Sequence, residues 1–129
     1  MLEYLRMLNR LQKFGKKGES IAIKYLKKNG YTIVKQNYRS KYGEVDIIAK
    51  DKDTIVFVEV KARRSDRFGD PKWAVTYKKQ QKISLAAINY LKVTNQSGAK
   101  ARFDVIAISG DKDNLKIEIV KNAFELASI

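Results

Sequence analysis

Two charged positions in an otherwise apolar run mark where this chain could do chemistry: Glu59 and Lys61, within Val56-Phe57-Val58-Glu59-Val60-Lys61-Ala62. Side chains alternate between faces along a strand, so Glu59 and Lys61 point one way and Val56, Val58, Val60 and Ala62 the other. A second run, Gly43-Glu44-Val45-Asp46-Ile47-Ile48-Ala49, sets Glu44 and Asp46 on one face and Val45, Ile47 and Ala49 on the other. Only the turn-like Lys50-Asp51-Lys52-Asp53 lies between the two runs, which predicts an antiparallel hairpin. Folding then gathers Asp46, Glu59 and Lys61 on a sheet that must be covered. Two carboxylates and a lysine there cost free energy unless they pair or bind a cation. Two arrangements meet that need. In one, Asp46 and Glu59, with a backbone carbonyl, hold a divalent ion, and Lys61 orients the ion's water and offsets charge on a phosphate. In the other, Lys61 satisfies both acids in a buried ion-pair network.

Residue counts narrow the chemistry. The chain has no Cys and no His, which excludes disulfides, thiolate zinc sites, cysteine nucleophiles and imidazole catalysis. A catalytic metal must then be a hard, oxygen-liganded ion such as Mg2+ or Mn2+. Lys+Arg 27 against Asp+Glu 14 gives a net charge of +13, which calls for a polyanionic partner: nucleic acid first, an anionic membrane surface second. No stretch is long and apolar enough to span a bilayer, and Met1–Arg6 lacks a secretory layout, so a cytoplasmic protein is expected. At 129 residues, a single domain covering 1–129 is expected, with 1–14 as a helical extension.

Several elements must position the charged group. Leu2, Leu5, Leu8 and Leu11 predict an amphipathic helix over Leu2–Phe14, packed on the domain's own core or forming a dimer contact. A second helix, about Glu19–Asn29, stops at Asn29-Gly30. Strands are expected at Tyr31–Asn37, Glu44–Lys50 and Thr54–Arg63. Asp70 as N-cap and Pro71 at the first helical position predict a helix running to about Val93. After Thr94–Gly98, strands follow at Arg102–Ser109 and Leu115–Val120. A meander followed by a helical crossover makes a mixed sheet with helices on both faces.

Further candidates follow from this layout. Glu19 shares a helix face with Ala22 and Leu26, either as a charge favoured by the helix N-terminus or as an outer acidic partner of the metal site. Lys79, Gln80 and Lys82 form a solvated basic face or reach a phosphate. Asp104 reads as a structural salt bridge or strand-end hydrogen bond. Arg39, Lys41 and Tyr42 in one loop, with Arg63, Arg64, Arg67, Phe68 and Trp73 in another, mix cations with aromatics as phosphate contact and base stacking require. A surface kept basic for solubility is the plainer account.

The motifs Gly43–Ala49 and Phe57–Arg63, with Tyr31–Arg39, Lys79–Ile83 and Arg102–Ile106, occur in the order seen in the uncharacterised YraN family of small bacterial proteins. The resemblance covers Phe14 to Val120. That family is similar in motif layout to the restriction-endonuclease-like PD-(D/E)xK superfamily, including archaeal Holliday junction resolvases. The resemblance implies an α/β fold with an αβββαβ core. It assigns Asp46, Glu59 and Lys61 to the nuclease signature and Glu19 to the helix acid of the resolvase branch. Val45 stands where the signature has proline. A Mg2+- or Mn2+-dependent endonuclease acting on nucleic acid is therefore expected, with DNA ahead of RNA and branched DNA a candidate substrate. The alternative is a nucleic-acid-binding module without turnover. Homodimer formation stays open, and no membrane partner is expected.

Overall fold

The structure, a computed structural model, describes residues 2, 17–62, 75–111 and 114–127. Helix α1 spans 17–28. Strands β1 (Thr32–Ser40), β2 (Gly43–Asp51) and β3 (Thr54–Ala62) precede helix α2 (Tyr77–Val93), and β4 (Ala101–Asp111) and β5 (Asn114–Phe124) follow it. The five strands lie in chain order in one sheet. All pairings are antiparallel except β3 with β4, which is parallel. Among the described residues the result is an α/β mixed sheet covered by helices α1 and α2, consistent with a restriction-endonuclease-like core.

Burial follows the alternation expected of a sheet covered on both sides. Ala22 and Leu26 of α1 pack with Ile47, Ala49, Val56, Val58, Ile106 and Ile108 on one face. Ile83, Ala86, Ala87 and Tyr90 of α2 pack with Val45, Ile48, Ile55, Phe57, Phe103 and Val105 on the other. β3 is therefore apolar on both faces over Val56-Phe57-Val58, each at most 1% exposed. Gly43 is needed for a close approach: a Cβ there would lie 2.6 Å from the Lys82 carbonyl oxygen, so glycine lets α2 lie directly on the start of β2.

Three expectations need correction. Strict pleat alternation puts Val45 with Ile47 and Ala49, yet Val45 joins the α2 side. The β2–β3 ladder has Ile47↔Val58 as its last pair on that side. Beyond it Asp46 turns its carboxylate to accept the Val60 N–H at 2.9 Å, and the alternation is lost at that residue. Opposite Asp46 on β1, Asn37 has a left-handed φ of 50°. Secondly, α2 begins at Tyr77, with Thr76 as its N-cap in an extended conformation and the Thr76 side chain accepting from the Lys79 N–H. The start expected at Asp70-Pro71 lies outside the described residues, as do Arg63, Arg64, Arg67, Phe68 and Trp73 and, Leu2 apart, the helix expected over Leu2–Phe14. Thirdly, the strands run further than their apolar patterns: β1 continues through Tyr38 and Arg39, and only 112–113 connect β4 to β5. Backbone pairing continues there after the side chains have stopped alternating.

Candidate metal and nucleic-acid site

The parting of β2 from β3 creates the site. Glu59 is on the α2 side of β3, only 5% exposed, although it is ionisable. Asp46, carried to it by the turn in β2, lies close enough to accept a hydrogen bond from the Glu59 carboxyl when that group is protonated. Lys61 Nζ and Lys79 Nζ both approach Glu59 Oε1, at 3.9 and 4.0 Å, from side chains one-third exposed. These are ion pairs at the limit of contact, so the two lysines offset the acids without capping them.

The electrostatics follow from that geometry. Burial first, and then the charge of Asp46, pushes the Glu59 carboxyl well above the usual carboxylate range, against the opposing pull of Lys79 and Lys61. Asp46 is pushed up by its own burial, partly offset by the Val60 N–H and Lys79. The two acids titrate as one unit. Their arrangement favours a shared proton or an added cation over two free negative charges. Glu19, on the first turns of α1, stands further out. Burial and then Asp46 raise its carboxyl, and a hydrogen bond from Asn37 lowers it. Among the described residues no three acidic side chains come close enough to hold one metal ion together. Asp46 and Glu59 form a pair of hard oxygen donors, with Glu19 at one remove. Carboxylate oxygens are the kind of donor that hard ions such as Mg2+ and Mn2+ take.

A shallow open groove of ≈ 510 Å³ adjoins the acids, lined by Arg39, Ser40, Lys41, Tyr42, Gly43, Glu44, Lys79 and Lys82. Lys79 belongs to both groove and acid site. Lys41 Nζ sits 5.0 Å from the centre of the Tyr42 ring, and Arg39 pairs with Glu44 at 3.4 Å across an exposed surface. Gln80 is directed elsewhere, since its amide donates to the Val75 carbonyl at 3.0 Å. The structure thus brings together Asp46, Glu59, Lys61 and Lys79, with Glu19 nearby, and lines a groove with Arg39, Lys41 and Lys82. Two contributors escaped the sequence reading: Asn37 and the Val60 N–H. An asparagine within a strand was the available signal for the first, because Asn is depleted in strands and tolerates left-handed backbone.

Asp104 is a second buried acid, 0% exposed, on the other face of the sheet. It accepts from Arg102 Nε at 3.0 Å, Tyr31 OH at 3.1 Å and the Asn122 N–H at 2.9 Å. Arg102 also donates to Asp51 at 2.8 Å. This is the structural network anticipated for Asp104.

Fold and site together describe an α/β protein with a restriction-endonuclease-like core, a buried acid pair at one strand junction and a basic groove beside it. The model of the uncharacterised protein family UPF0102 matches residues 18–108, and the chain belongs to that family, the one its motifs resemble under the name YraN. Similar relatives are UPF0102 proteins of Desulfosudis oleivorans, 55% identical over 92% of this chain and 95% of the relative, and of Syntrophus aciditrophicus, 52% identical over 88% and 89%. Another, from Geobacter metallireducens, is 50% identical over 88% of this chain and 93% of its own length. Among the described residues no helix is long and apolar enough to cross a membrane.

Proposed function

We propose that this protein is a divalent-metal-dependent nuclease that hydrolyses phosphodiester bonds in nucleic acid, with DNA ahead of RNA. The observation that carries the reading is the buried Asp46–Glu59 pair, whose like charges burial sets against each other and two lysines only partly offset. Asp46 and Glu59 would hold Mg2+ or Mn2+. Bound there, such an ion supplies an activated water and neutralises charge on a phosphate. Lys61, on the same strand face as Glu59, would orient the water and stabilise charge developing on the phosphate oxygens. Lys79 would hold the phosphate backbone where the groove meets the acids, with Arg39, Lys41 and Lys82 tracking the strand further out. Arg63, Arg64 and Arg67, outside the described residues, would add phosphate contacts. Glu19 would complete the acid set from α1. The likeness to PD-(D/E)xK nucleases and archaeal Holliday junction resolvases supports this assignment, with Val45 in the proline position as its one departure.

One observation favours the second reading, a nucleic-acid-binding module without turnover: no third acid joins Asp46 and Glu59 at ligand distance among the described residues. Calorimetric titration with Mn2+ or Mg2+, followed by incubation with duplex, single-stranded and branched DNA, separates the two. The nuclease reading requires a binding isotherm lost in Asp46→Ala, and metal-dependent cleavage lost in Asp46→Ala, Glu59→Ala and Lys61→Ala while DNA binding persists. DNA binding by wild type with no heat of metal binding and no cleavage leaves the binding module.

A further inference from the structure

The sheet ends at two strands that each carry one register shift and one left-handed asparagine, placed differently along the strand. Edge strand β1 is interrupted twice, by a register shift between Ile33 and Lys35 and by the left-handed residue Asn37. Such interruptions keep an edge from pairing with another chain. In edge strand β5 the register shift lies between Val120 and Phe124, around left-handed Asn122, so the seven residues 114–120 run unbroken against β4 from Asp111↔Asn114 to Val105↔Val120. Among the described residues no backbone group pairs with its outer side. We propose that β5 joins the β5 of a second copy of this chain in antiparallel fashion, continuing the sheet across a two-fold axis.

The pattern of side chains selects the register. Ile117 and Ile119 lie on the α1 side, with exposed Leu115 in line with them, while Lys116 and Glu118 point to the other side and are exposed. A two-fold axis normal to the sheet must pass through a pair of identical residues. Centred on Ile117, it sets Ile117 against its own copy, Leu115 against Ile119 and Lys116 against Glu118. Both faces are then matched, apolar with apolar and cation with anion. Centred one residue earlier, it sets Lys116 against Lys116. Centred one residue later, it sets Glu118 against Glu118. Like charges directly opposite destabilise a strand pair, so the Ile117 register stands apart from its neighbours.

Charge reversal tests the pairing against the chain's overall repulsion. Sedimentation across the micromolar range should show a monomer–dimer equilibrium for wild type. Lys116→Glu and Glu118→Lys should each weaken it by roughly ten- to a hundredfold, since each turns two attractive cross-strand pairs into two repulsive ones. The Lys116→Glu loss is the telling one, because that change lowers the net positive charge and would otherwise favour association. The double swap, Lys116→Glu with Glu118→Lys, should restore the dimer. The chain has no cysteine, so Ile117→Cys provides a geometric check. Residues directly opposite have Cα atoms about 4.5–5.5 Å apart, within disulfide reach, and mild oxidation should cross-link this variant. Leu115→Cys, displaced from its own copy by about 13 Å along the strands, should not cross-link. A monomer at every concentration overturns the proposal. So does a dimer indifferent to both reversals, or cross-linking of Leu115→Cys as readily as Ile117→Cys.

Discussion

The sheet buries acids on both faces, and the two groups are settled in opposite ways. Around Asp104 the donors match the acceptors: an arginine, a tyrosine hydroxyl and a backbone N–H all reach the carboxylate at 2.9 to 3.1 Å, and the same arginine reaches out to Asp51. Around Asp46 and Glu59 the polar atoms also have partners, since among the described residues no buried side-chain nitrogen or oxygen lacks one. What is missing there is charge. Two neighbouring carboxyl groups can share a proton, and the cations that approach Glu59 stand at 3.9 and 4.0 Å. A network closed by short charge-assisted bonds has nothing left to bind. A pair of acids held in low dielectric with distant cations keeps an affinity for a proton or a metal ion.

The largest effect that could break this comparison is on stability. Asp104→Ala should destabilise the protein by about 3–5 kcal/mol, because it removes the fully buried acceptor on which Arg102, the Tyr31 hydroxyl and the Asn122 N–H converge. Tyr31, whose hydroxyl burial and then the Asp104 charge push up to about 12, should return toward its ordinary pKa in the same variant. Divalent metal should not rescue the loss. A thermal melt of Asp104→Ala with and without Mn2+ checks this, and full recovery on adding metal would dissolve the distinction between the two groups.

An intermediate effect concerns pH. An acid whose folded pKa lies above its unfolded one binds its proton more tightly when folded. The contribution of the Asp46–Glu59 pair is therefore complete below the ordinary carboxylate range and is lost as pH climbs through the raised values. Asp51 has the opposite sign. Its hydrogen bond to Arg102 holds its carboxyl low, so its contribution is present above the ordinary value and is lost as pH falls. Metal-free wild type should thus lose stability between about pH 4 and neutrality. Glu59→Gln should flatten that slope and be the more stable form at neutral pH, by roughly 1–3 kcal/mol. Mn2+ should raise the melting temperature of wild type and leave that of Glu59→Gln unchanged. Chemical denaturation over a pH series gives both readings, and a wild-type slope rising toward neutrality would contradict the assignment.

Much of this was legible from residue order alone. The Lys50–Asp53 turn and the face of Glu59 follow from alternation, which holds throughout β3 because both of its faces are buried. Asp104 was legible because Arg102 lies on the same strand face two residues earlier. Alternation failed at Asp46, where Val45 changes sides. A hairpin pattern assumes an unbroken ladder, and nothing local marks the residue at which β2 and β3 part. The start of α2 was misplaced because Asp70-Pro71 is a strong local start signal, whereas Thr76 gains its role from the helix that follows it. Lys79 was read for its charge alone. Its contact with Glu59 depends on α2 lying against β2, which rests on the close approach at Gly43.

The smallest effect distinguishes two lysines of similar local geometry. Lys79 stands 4.0 Å from Glu59, and Lys121 stands 3.8 Å from Asp51. Both side chains are partly exposed, so each substitution to Ala should change stability by less than about 1 kcal/mol. Their consequences for binding should differ. Lys79 borders the basic groove and, in the nuclease reading, neutralises a phosphate there. Lys79→Ala should therefore reduce the slope of log affinity against log salt by about 1 for any DNA sequence, because one fewer counterion is released. Lys121, placed over Tyr31 beside the closed network, should leave that slope unchanged. Fluorescence anisotropy at several salt concentrations measures both. Equal slopes for Lys79→Ala and wild type would detach the groove from nucleic-acid binding. Equal losses from the two variants would mean that net charge, and not the position of Lys79, governs the interaction.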